Sequence, residues 1–337
     1  MNVTIKDVAK KADVSIATVS RFLNNKPKVS KGAKQRIANA ISELKYEPYA
    51  MAKGLIKRKM KTIGLLMPDI RNLFYPIVIK GVEDELEKNN YNIFVCHSDE
   101  KIDKEKKYLD TLLDKGVEGI IFLGTRSPKK EKNDHILELS NSIPILMINE
   151  YLIGSNVYSV MSDQVEGAYK AITYLIENGH REIAFINGNT DYTTYRHKLR
   201  GFMKAFNDYS IEPNEDFIIK TTPYEDGGYD GANKILSHNE KPTAFFTASD
   251  QIAYGSIRAL IEKGFNVPKD FSVIGYGNID ISANIYPELT TVDQFPYKTG
   301  KMAAKKIINI LEKEGLDQKK ILIEPELVIR KSSRSIK

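Results

Sequence analysis

The chain has 337 residues, a formal net charge of +6, one cysteine and no tryptophan. That length is too great for one small core and suits two or three domains. A lone Cys96 cannot form an intramolecular disulfide, and no apolar leader or 18-residue apolar span is present, so a soluble cytoplasmic protein with no membrane segment is expected.

The charge is unevenly held. Residues 1–60 carry 14 Lys/Arg against 4 Asp/Glu, a net of +10, while the remainder carries 36 against 40. A basic head on a mildly acidic body points to a polyanion at one end. The head has no strongly hydrophobic face to sink into a bilayer, so nucleic acid is the better partner.

Residues 4–24 read TIKDVAKKADVSIATVSRFLN, two short helices around a corner at Ala12-Asp13-Val14. Thr4 is placed to cap the first helix and Ser15 the second. Val19, Phe22 and Leu23 can face inward, leaving Ile16, Ala17, Ser20 and Arg21 outside. A helix with small side chains near its start can enter a DNA major groove, and the competing reading is a helical cap on an enzyme. Ser30 should cap a third helix through Ala33, Ile37, Ala40, Ile41 and Leu44. Residues 48–60 form a linker in which Pro48 can start a short helix that is marginal alone. Leu55 there is either an apolar wedge for a minor groove or a residue packed on the body.

From Lys61 the pattern alternates between strand and helix. TIGLLMP, NIFVC, GIIFLG and IPILMIN are strands, with helices through Val82–Leu86, over 102–115 and over 131–141. A second series begins near Ser162: helix 163–178, EIAFING, helix 195–209, DFIIK, helix 226–237, TAFFT, helix 250–263 and FSVIGYG. Near-continuous apolar runs predict strands covered on both faces, hence two doubly wound parallel-sheet lobes of an α/β fold. Cys96 at the end of NIFVC is expected to be buried. LTTVDQ, a helix from Tyr297 to about Leu311, ILIEP and ELVIR close the chain, with a crossing between lobes expected and a short basic tail after Arg330. Ligands of such sheets bind beyond strand C-termini, so both lobes should present loops to one cleft. Asn72, Phe74 and Tyr75 follow the first strand, Asn149 ends the fourth, and Arg196 and Lys198 start a helix. Tyr224, Asp250 and Gln294 follow later strands. Rings, amides, a carboxylate and cations together suit a carbohydrate or another polar small ligand.

TIKDVAKKADVSIATVSRFLN followed by VS and LKYEP resembles the lactose-repressor/galactose-repressor family of bacterial transcription regulators. PDIRNLFYP, NGHREIAFI, PTAFFTASDQIAYG, VIGYGN and LTTVDQ extend the resemblance over essentially the whole chain, nearest in appearance to the catabolite control proteins of Gram-positive bacteria. It implies a helix-turn-helix head at residues 1–47, a hinge at 48–60 and a periplasmic-binding-protein-like core. The expected lobes are 61–161 with 292–323 and 162–291 with 324–331. It further implies a homodimer on a pseudo-palindromic double-stranded operator, repressing carbohydrate-utilisation genes, with a sugar or sugar-phosphate effector between the lobes. No catalytic residue, metal or fixed cofactor belongs to that picture.

By position, Ile16 and Ala17 match base-reading sites, and Thr18, Ser20, Arg21 and Asn24 match phosphate or base contacts. Arg21 can bond guanine bidentately or a phosphate. Thr4, Lys6, Ser15 and Lys28 complete the implied DNA-contact set, with Lys31 and Lys34 as further positioning charges. The resemblance places Leu55 as the wedge, while Tyr49 stands where many members have asparagine. It strengthens Phe74, Asn149, Tyr224, Asp250 and Gln294 as effector contacts. Two departures are Lys198 for an arginine and Gly277 for an aspartate, which lose a bidentate fork and an acceptor. Those losses weaken an ordinary free-sugar site, while Lys198 would tolerate a phosphorylated sugar, and the same departure is compatible with the catabolite control proteins, whose corepressor is the serine-phosphorylated phosphocarrier HPr. Tyr297, Lys301 and Lys305 match the docking helix for HPr, although Lys305 replaces an arginine and Asn309 a further basic residue.

An enzyme is the rival class, but the chain shows no phosphate loop, no nucleophile elbow and no metal-spaced cluster, and its five histidines are scattered. His180 is expected to anchor the loop before its strand. An exported solute receptor would lack the basic head.

Overall fold

The computed structural model describes residues 3–23, 27, 29–44, 46, 60–314 and 318–337. They fall into two compact units, one within Met1–Met60 and one spanning Lys61–Lys337.

In the first unit, α1 (Ile5–Lys11), α2 (Ile16–Leu23) and α3 (Lys31–Glu43) share one small core. Val8, Ala9, Ala12, Val19, Ile37 and Ala40 are buried there, with Ile5, Phe22, Leu23, Ile41 and Leu44 packed around them. The Asp7 carboxylate accepts from both the Thr4 N–H (2.8 Å) and the Thr4 hydroxyl (2.6 Å), which closes the first turn of α1. Asp13 takes a left-handed φ of 49° at the corner. Ser15 Oγ accepts from Thr18 N (3.2 Å) and Ser30 Oγ from Ala33 N (3.3 Å), satisfying orphan donors of α2 and α3. Arg36 Nε donates to Ala12 O (3.1 Å), tying α3 to the corner.

The second unit holds two six-stranded sheets. The first sheet contains β1 (Thr62–Met67), β2 (Asn92–His97), β3 (Gly119–Leu123), β4 (Ile145–Ile148), β5 (Val157–Ser162) and β11 (Lys320–Ile323) in the order β11-β5-β4-β3-β1-β2. The second contains β6 (Ile183–Asn187), β7 (Ile218–Lys220), β8 (Ala244–Thr247), β9 (Ser272–Gly277), β10 (Thr290–Asp293) and β12 (Glu326–Val328) in the order β12-β10-β9-β8-β6-β7. Every pairing is parallel except β10 with β12. Helices α4 (Phe74–Lys88), α5 (Ile102–Asp114), α6 (Asp134–Leu139) and α11 (Pro296–Leu311) belong to the first lobe. Helices α7 (Gln164–Glu177), α8 (Thr193–Asp208), α9 (Glu225–Leu236) and α10 (Asp250–Glu262) belong to the second.

The first lobe has an aliphatic core, with Ile63, Leu65, Val78, Val82, Ile121, Leu146 and Ile307 buried between sheet and helices. The second is built round phenylalanine: Phe185 lies 5.2 Å from Phe202 and 4.9 Å from Phe246, and Phe202 lies 4.7 Å from Phe206, between ring centroids. Helices α4 and α11 touch backbone to backbone, because a Cβ on Gly81 would overlap Tyr297 O and one on Gly300 would overlap Val78 O. That close approach fixes where Tyr297 emerges.

Several expectations need correction. NIFVC is an edge strand rather than a covered one: Phe94 and Val95 are exposed, and Cys96 is only half-buried. Helix α4 begins at Phe74, two turns before Val82, with Asn72 Oδ1 accepting from Phe74 N (3.0 Å). β5 has no counterpart in the predicted elements, since Tyr158, Ser159 and Ser162 interrupt its apolar pattern, yet all six of its residues are buried. Ser162 still belongs to β5, and Val292 and Asp293 pair with β9 and β12 in the second sheet. The lobe changes therefore come at residue 163 and after Asp293, not at 162 and 292. The segment after Arg330 is no free tail. Ser332 Oγ donates to Val273 O (2.6 Å) and accepts from Thr290 N (2.8 Å), and Ile336 N donates to Asn178 O (2.9 Å), so the second lobe runs to Lys337. His180 is fully buried, with Nδ1 2.8 Å from Thr243 Oγ1 and Nε2 3.1 Å from Arg334 O, and it pins this last segment.

Candidate functional site

Two surfaces have the chemistry expected of a site. The first is on the head. Ile16, Ala17 and Arg21 are exposed on α2, with Lys6 exposed on α1 and Lys31 and Lys34 on α3. Ile16 keeps 45% of its surface exposed, which is a cost in water for a β-branched apolar side chain at the start of a helix. Thr18 is half-buried and its hydroxyl lies 2.9 Å from Ser15 Oγ, while Ser20 is half-buried and Thr4 and Ser15 are exposed. Asn24, Lys28, Leu55 and nearly all of the 48–60 hinge lie outside the described residues.

The second surface is the cleft between the lobes, lined by residues that follow β1, β3 and β4 of the first sheet and β6, β7 and β8 of the second. It has a deep and an outer part. The deep cavity, of about 70 Å³, is lined by Asn72, Phe74, Tyr75, Asn149, Lys198 and Gln294 among others. Gln164, Thr125, Thr194, Tyr195 and Tyr276 also line it and were not among the predicted residues. Gln294 Oε1 accepts from Gln164 Nε2 (2.8 Å) and Asn149 Nδ2 (3.5 Å), so three amides form one chain. The Lys198 ammonium donates to Ala248 O (2.7 Å) and lies 4.0 Å from the centroid of the Tyr276 ring. Burial pushes this lysine down to about 7, opposed only in part by the field of Asp250.

The outer cavity, of about 370 Å³, is lined by Asn72, Tyr75 and Tyr224 together with Asp69, Glu100, Tyr192, Tyr195 and Thr221. Glu100 sits in a pair of left-handed residues, Asp99 (φ 52°) and Glu100 (φ 59°), and Tyr192 donates its hydroxyl to it at 3.4 Å. Glu100 follows β2 by three residues and Tyr192 follows β6 by five, so both lie where the strand-end rule looks, although neither was among the predicted residues.

Direct bonds cross the cleft. Tyr224 donates its hydroxyl to Asp69 Oδ2 (2.7 Å), and Arg71 pairs with the same carboxylate (2.6 Å) while its guanidinium lies 4.6 Å over the Tyr224 ring. These partners, Arg71 first, hold the Asp69 carboxyl well below the usual carboxylate range. Gln251 accepts from Leu73 N (3.0 Å), and Thr193 N donates to Arg126 O (3.1 Å). Behind Arg126 stands a buried ionic group. Its guanidinium grips Glu105 at 2.5 and 3.0 Å, and His135 Nε2 lies 2.7 Å from the same carboxylate.

Two predicted effector residues do not reach the cavities. Arg196 is exposed on the outer side of α8. Asp250 is buried with both oxygens engaged: Oδ1 by Thr291 Oγ1 (2.5 Å), Oδ2 by Ser282 Oγ (2.8 Å) and Ile279 N (3.0 Å). It locks the loop after β9. On α11, Tyr297 donates to Asp84 Oδ2 (2.8 Å), Lys301 is half-buried with Nζ 5.8 Å from the Tyr297 ring, and Lys305 is exposed.

Among the described residues no group of His, Cys, Asp and Glu is placed to hold a metal ion, and no helix is long and apolar enough to cross a membrane.

Comparison with known proteins places both surfaces in context. The profile described as "Bacterial regulatory proteins, lacI family" matches residues 4–49, and that of a periplasmic binding protein-like domain matches residues 172–333. Catabolite control protein A of Priestia megaterium is 34% identical over 99% of this chain and 100% of its own. The lac repressor dimer bound to operator and the anti-inducer ONPF has the same fold, with a TM-score of 0.84 at 24% identity, over 99% of this chain and 100% of that one. A regulator from Enterococcus faecium with bound ribose is 28% identical with a TM-score of 0.72, over 82% of this chain and 100% of that one.

Proposed function

Because the chain belongs to the lacI family of bacterial regulatory proteins, we propose that it represses carbohydrate-utilisation genes by binding a pseudo-palindromic operator as a homodimer, under control of a sugar or sugar phosphate in the interlobe cleft. It is a regulator and not an enzyme. The observation that carries this reading is the pairing of a basic head, whose helix α2 exposes Ile16, Ala17 and Arg21, with a body that keeps a ligand-sized cavity between two lobes. The effector acts by linkage: a ligand that binds one arrangement of the lobes more tightly shifts the equilibrium between arrangements and so the affinity for DNA.

The second copy is assigned to an exposed apolar face of the second lobe, where Ile261, Ile281 and Tyr286 project around a groove lined by Tyr254, Arg258 and Ile285. Tyr286 is 90% exposed, an expensive position for an aromatic ring unless a partner covers it. The homologous fold of a repressor crystallised as a dimer supports that occupant.

Footprinting of the full chain on promoter DNA of neighbouring sugar genes, with and without a panel of sugars and sugar phosphates, tests the reading. Protection of a two-fold sequence that changes with one such ligand, and weakens steeply with salt, is the expected result. Binding indifferent to salt, or residues 61–337 alone protecting the same sequence, would sink it.

One observation favours a second regulator of the same body. Tyr297, Lys301 and Lys305 follow one another at helical spacing on α11, with Tyr297 and Lys305 exposed, and a catabolite control protein is similar along the full length. Under this reading serine-phosphorylated HPr docks there as corepressor and Lys305 receives the phosphate. Tighter operator binding with phosphorylated HPr and none with the unmodified protein is its signature, and a Lys305→Glu variant should lose that response.

A further inference from the structure

We propose that the effector is an anionic polyol whose carboxylate or phosphate group pairs with the Lys198 ammonium in the deep cavity, while its hydroxylated part fills the outer cavity. The inference rests on the sugar-effector reading above and names the class of ligand.

The charge inventory of the deep cavity is the starting point. Among the described residues lining it, Lys198 is the one cation, the other titratable groups are the phenols of Tyr75, Tyr195 and Tyr276, and no carboxylate is present. Lys198 is 5% exposed. One of its three donors goes to Ala248 O, and ring faces lie 4.0 Å (Tyr276) and 5.6 Å (Tyr195) from Nζ. A carbonyl dipole and two ring faces do not replace a counter-ion for a desolvated ammonium.

The protein does not supply one from nearby strands. Asp250 is committed to Thr291, Ser282 and the Ile279 N–H. At the end of β9 stands Gly277, with φ of 140°, so no side chain enters from that position. The missing negative charge is left to the ligand.

Neighbouring features give the ligand an orientation. Gln164, 2% exposed, lines the same cavity, and its Oε1 is buried without a hydrogen-bond partner, so a small side-chain rotation would let it accept from a ligand hydroxyl. Asn72, Tyr75, Thr125 and Tyr195 line both cavities, so one molecule can span them. Glu100 lines the outer cavity and there disfavours the anionic end while accepting from hydroxyls. Lys220 is the cation of the outer cavity, but it is exposed and already solvated.

A proton signature follows. Burial holds Lys198 down to about 7, and an anion beside it favours the charged form. Binding above pH 7 therefore takes up a proton, and affinity declines as pH rises from 7. A neutral sugar has no such requirement.

The test is calorimetry on the full chain with matched series for glucose, galactose, ribose and fructose, each as the neutral sugar, its sugar acid and its phosphate ester. Runs at pH 6.5 and 8.5, in buffers of different ionisation enthalpy, count protons. An anionic member binding at least tenfold tighter than its neutral parent at pH 6.5, with up to one proton taken up at pH 8.5, supports the proposal. Whether the acid or the ester wins decides between carboxylate and phosphate. Lys198→Met and Lys198→Gln should abolish the preference, and Lys220→Met should leave it in place. Equal affinity for neutral and anionic forms, or a preference that moves with Lys220, overturns the inference while the sugar reading stands. Binding of no member of any series overturns both.

Discussion

At the scale of single residues, Arg21 and Lys198 make the two surfaces testable. Arg21 is exposed on α2 beside Ile16 and Ala17. Replacing it with Ala should cost about 1–3 kcal/mol of operator affinity and relax preference at one base pair per half-site, read by binding to a set of single-base operator variants. A uniform loss across all variants would reassign it to phosphate. Lys198→Met bears on stability as well as on ligand. The folded-state pKa, near 7, lies below the ordinary lysine value, so folding must discharge the group or bury its charge. The penalty is full below pH 7 and fades as pH climbs toward the unfolded value near 10.4. The Met variant should be more stable than the parent by on the order of a few kcal/mol at pH 6, with the gap closing by about pH 10 in urea titrations. How far residues were legible in advance follows from the same physics. Lys198 could be read from its place near the start of the helix that follows β6, and Gln294 from its place directly after β10. Arg196 could not accompany Lys198, since two steps along a helix turn a side chain by about 200°. Asp250 misled because its partners Ser282 and Thr291 come from loops and strands some thirty to forty residues downstream, which periodicity does not reveal.

At the scale of elements, the group Glu105–Arg126–His135 joins α5, the loop after β3 and α6. Burial alone would raise the Glu105 pKa, but hydrogen bonds from His135 and Arg126 outweigh it and hold the carboxyl below its ordinary value. Glu105→Ala leaves a buried guanidinium unpaired and should cost roughly 3–5 kcal/mol in chemical denaturation. Because the Arg126 carbonyl receives Thr193 N across the cleft, the same change should loosen the lobes, seen as faster amide exchange at Thr193. Elements with unbroken apolar runs, such as β1, β3 and β8, could be read from the sequence. The partly polar β5 could not, because its burial depends on being flanked on both sides, by β4 just before it and by β11, which the chain supplies much later. Exposure of β2 escaped for the mirror reason: an apolar run reports composition, whereas the sheet edge is a matter of strand order.

At the scale of the whole molecule, the repressor reading needs two heads on one operator. Ile261→Asp puts a charge on the apolar face of the second lobe and should weaken self-association at least tenfold by sedimentation, with a parallel loss of operator affinity. A variant that stays dimeric would move the contact elsewhere, for instance to the exposed Phe94 and Val95 on β2. The two-lobed plan and the basic head were visible in charge and strand–helix alternation alone. The bonds that hold the cleft were not, because Asp69 and Tyr224 stand 155 positions apart.

The chain passes between the lobes at residue 163, after Asp293 and between Ile323 and Glu326. Three covalent strands in parallel permit bending but resist sliding, and they make any one of them dispensable for cohesion. Glu324 in the last passage is largely exposed. A site-specific protease sequence inserted there would, once cut, free the peptide from Pro325 onward in sequence but not in space, since β12 stays paired to β10 and Ser332 stays seated under Val273. Nicked protein should therefore elute as one body from a sizing column, surrender the peptide only in denaturant, and swing its lobes more freely in the meantime.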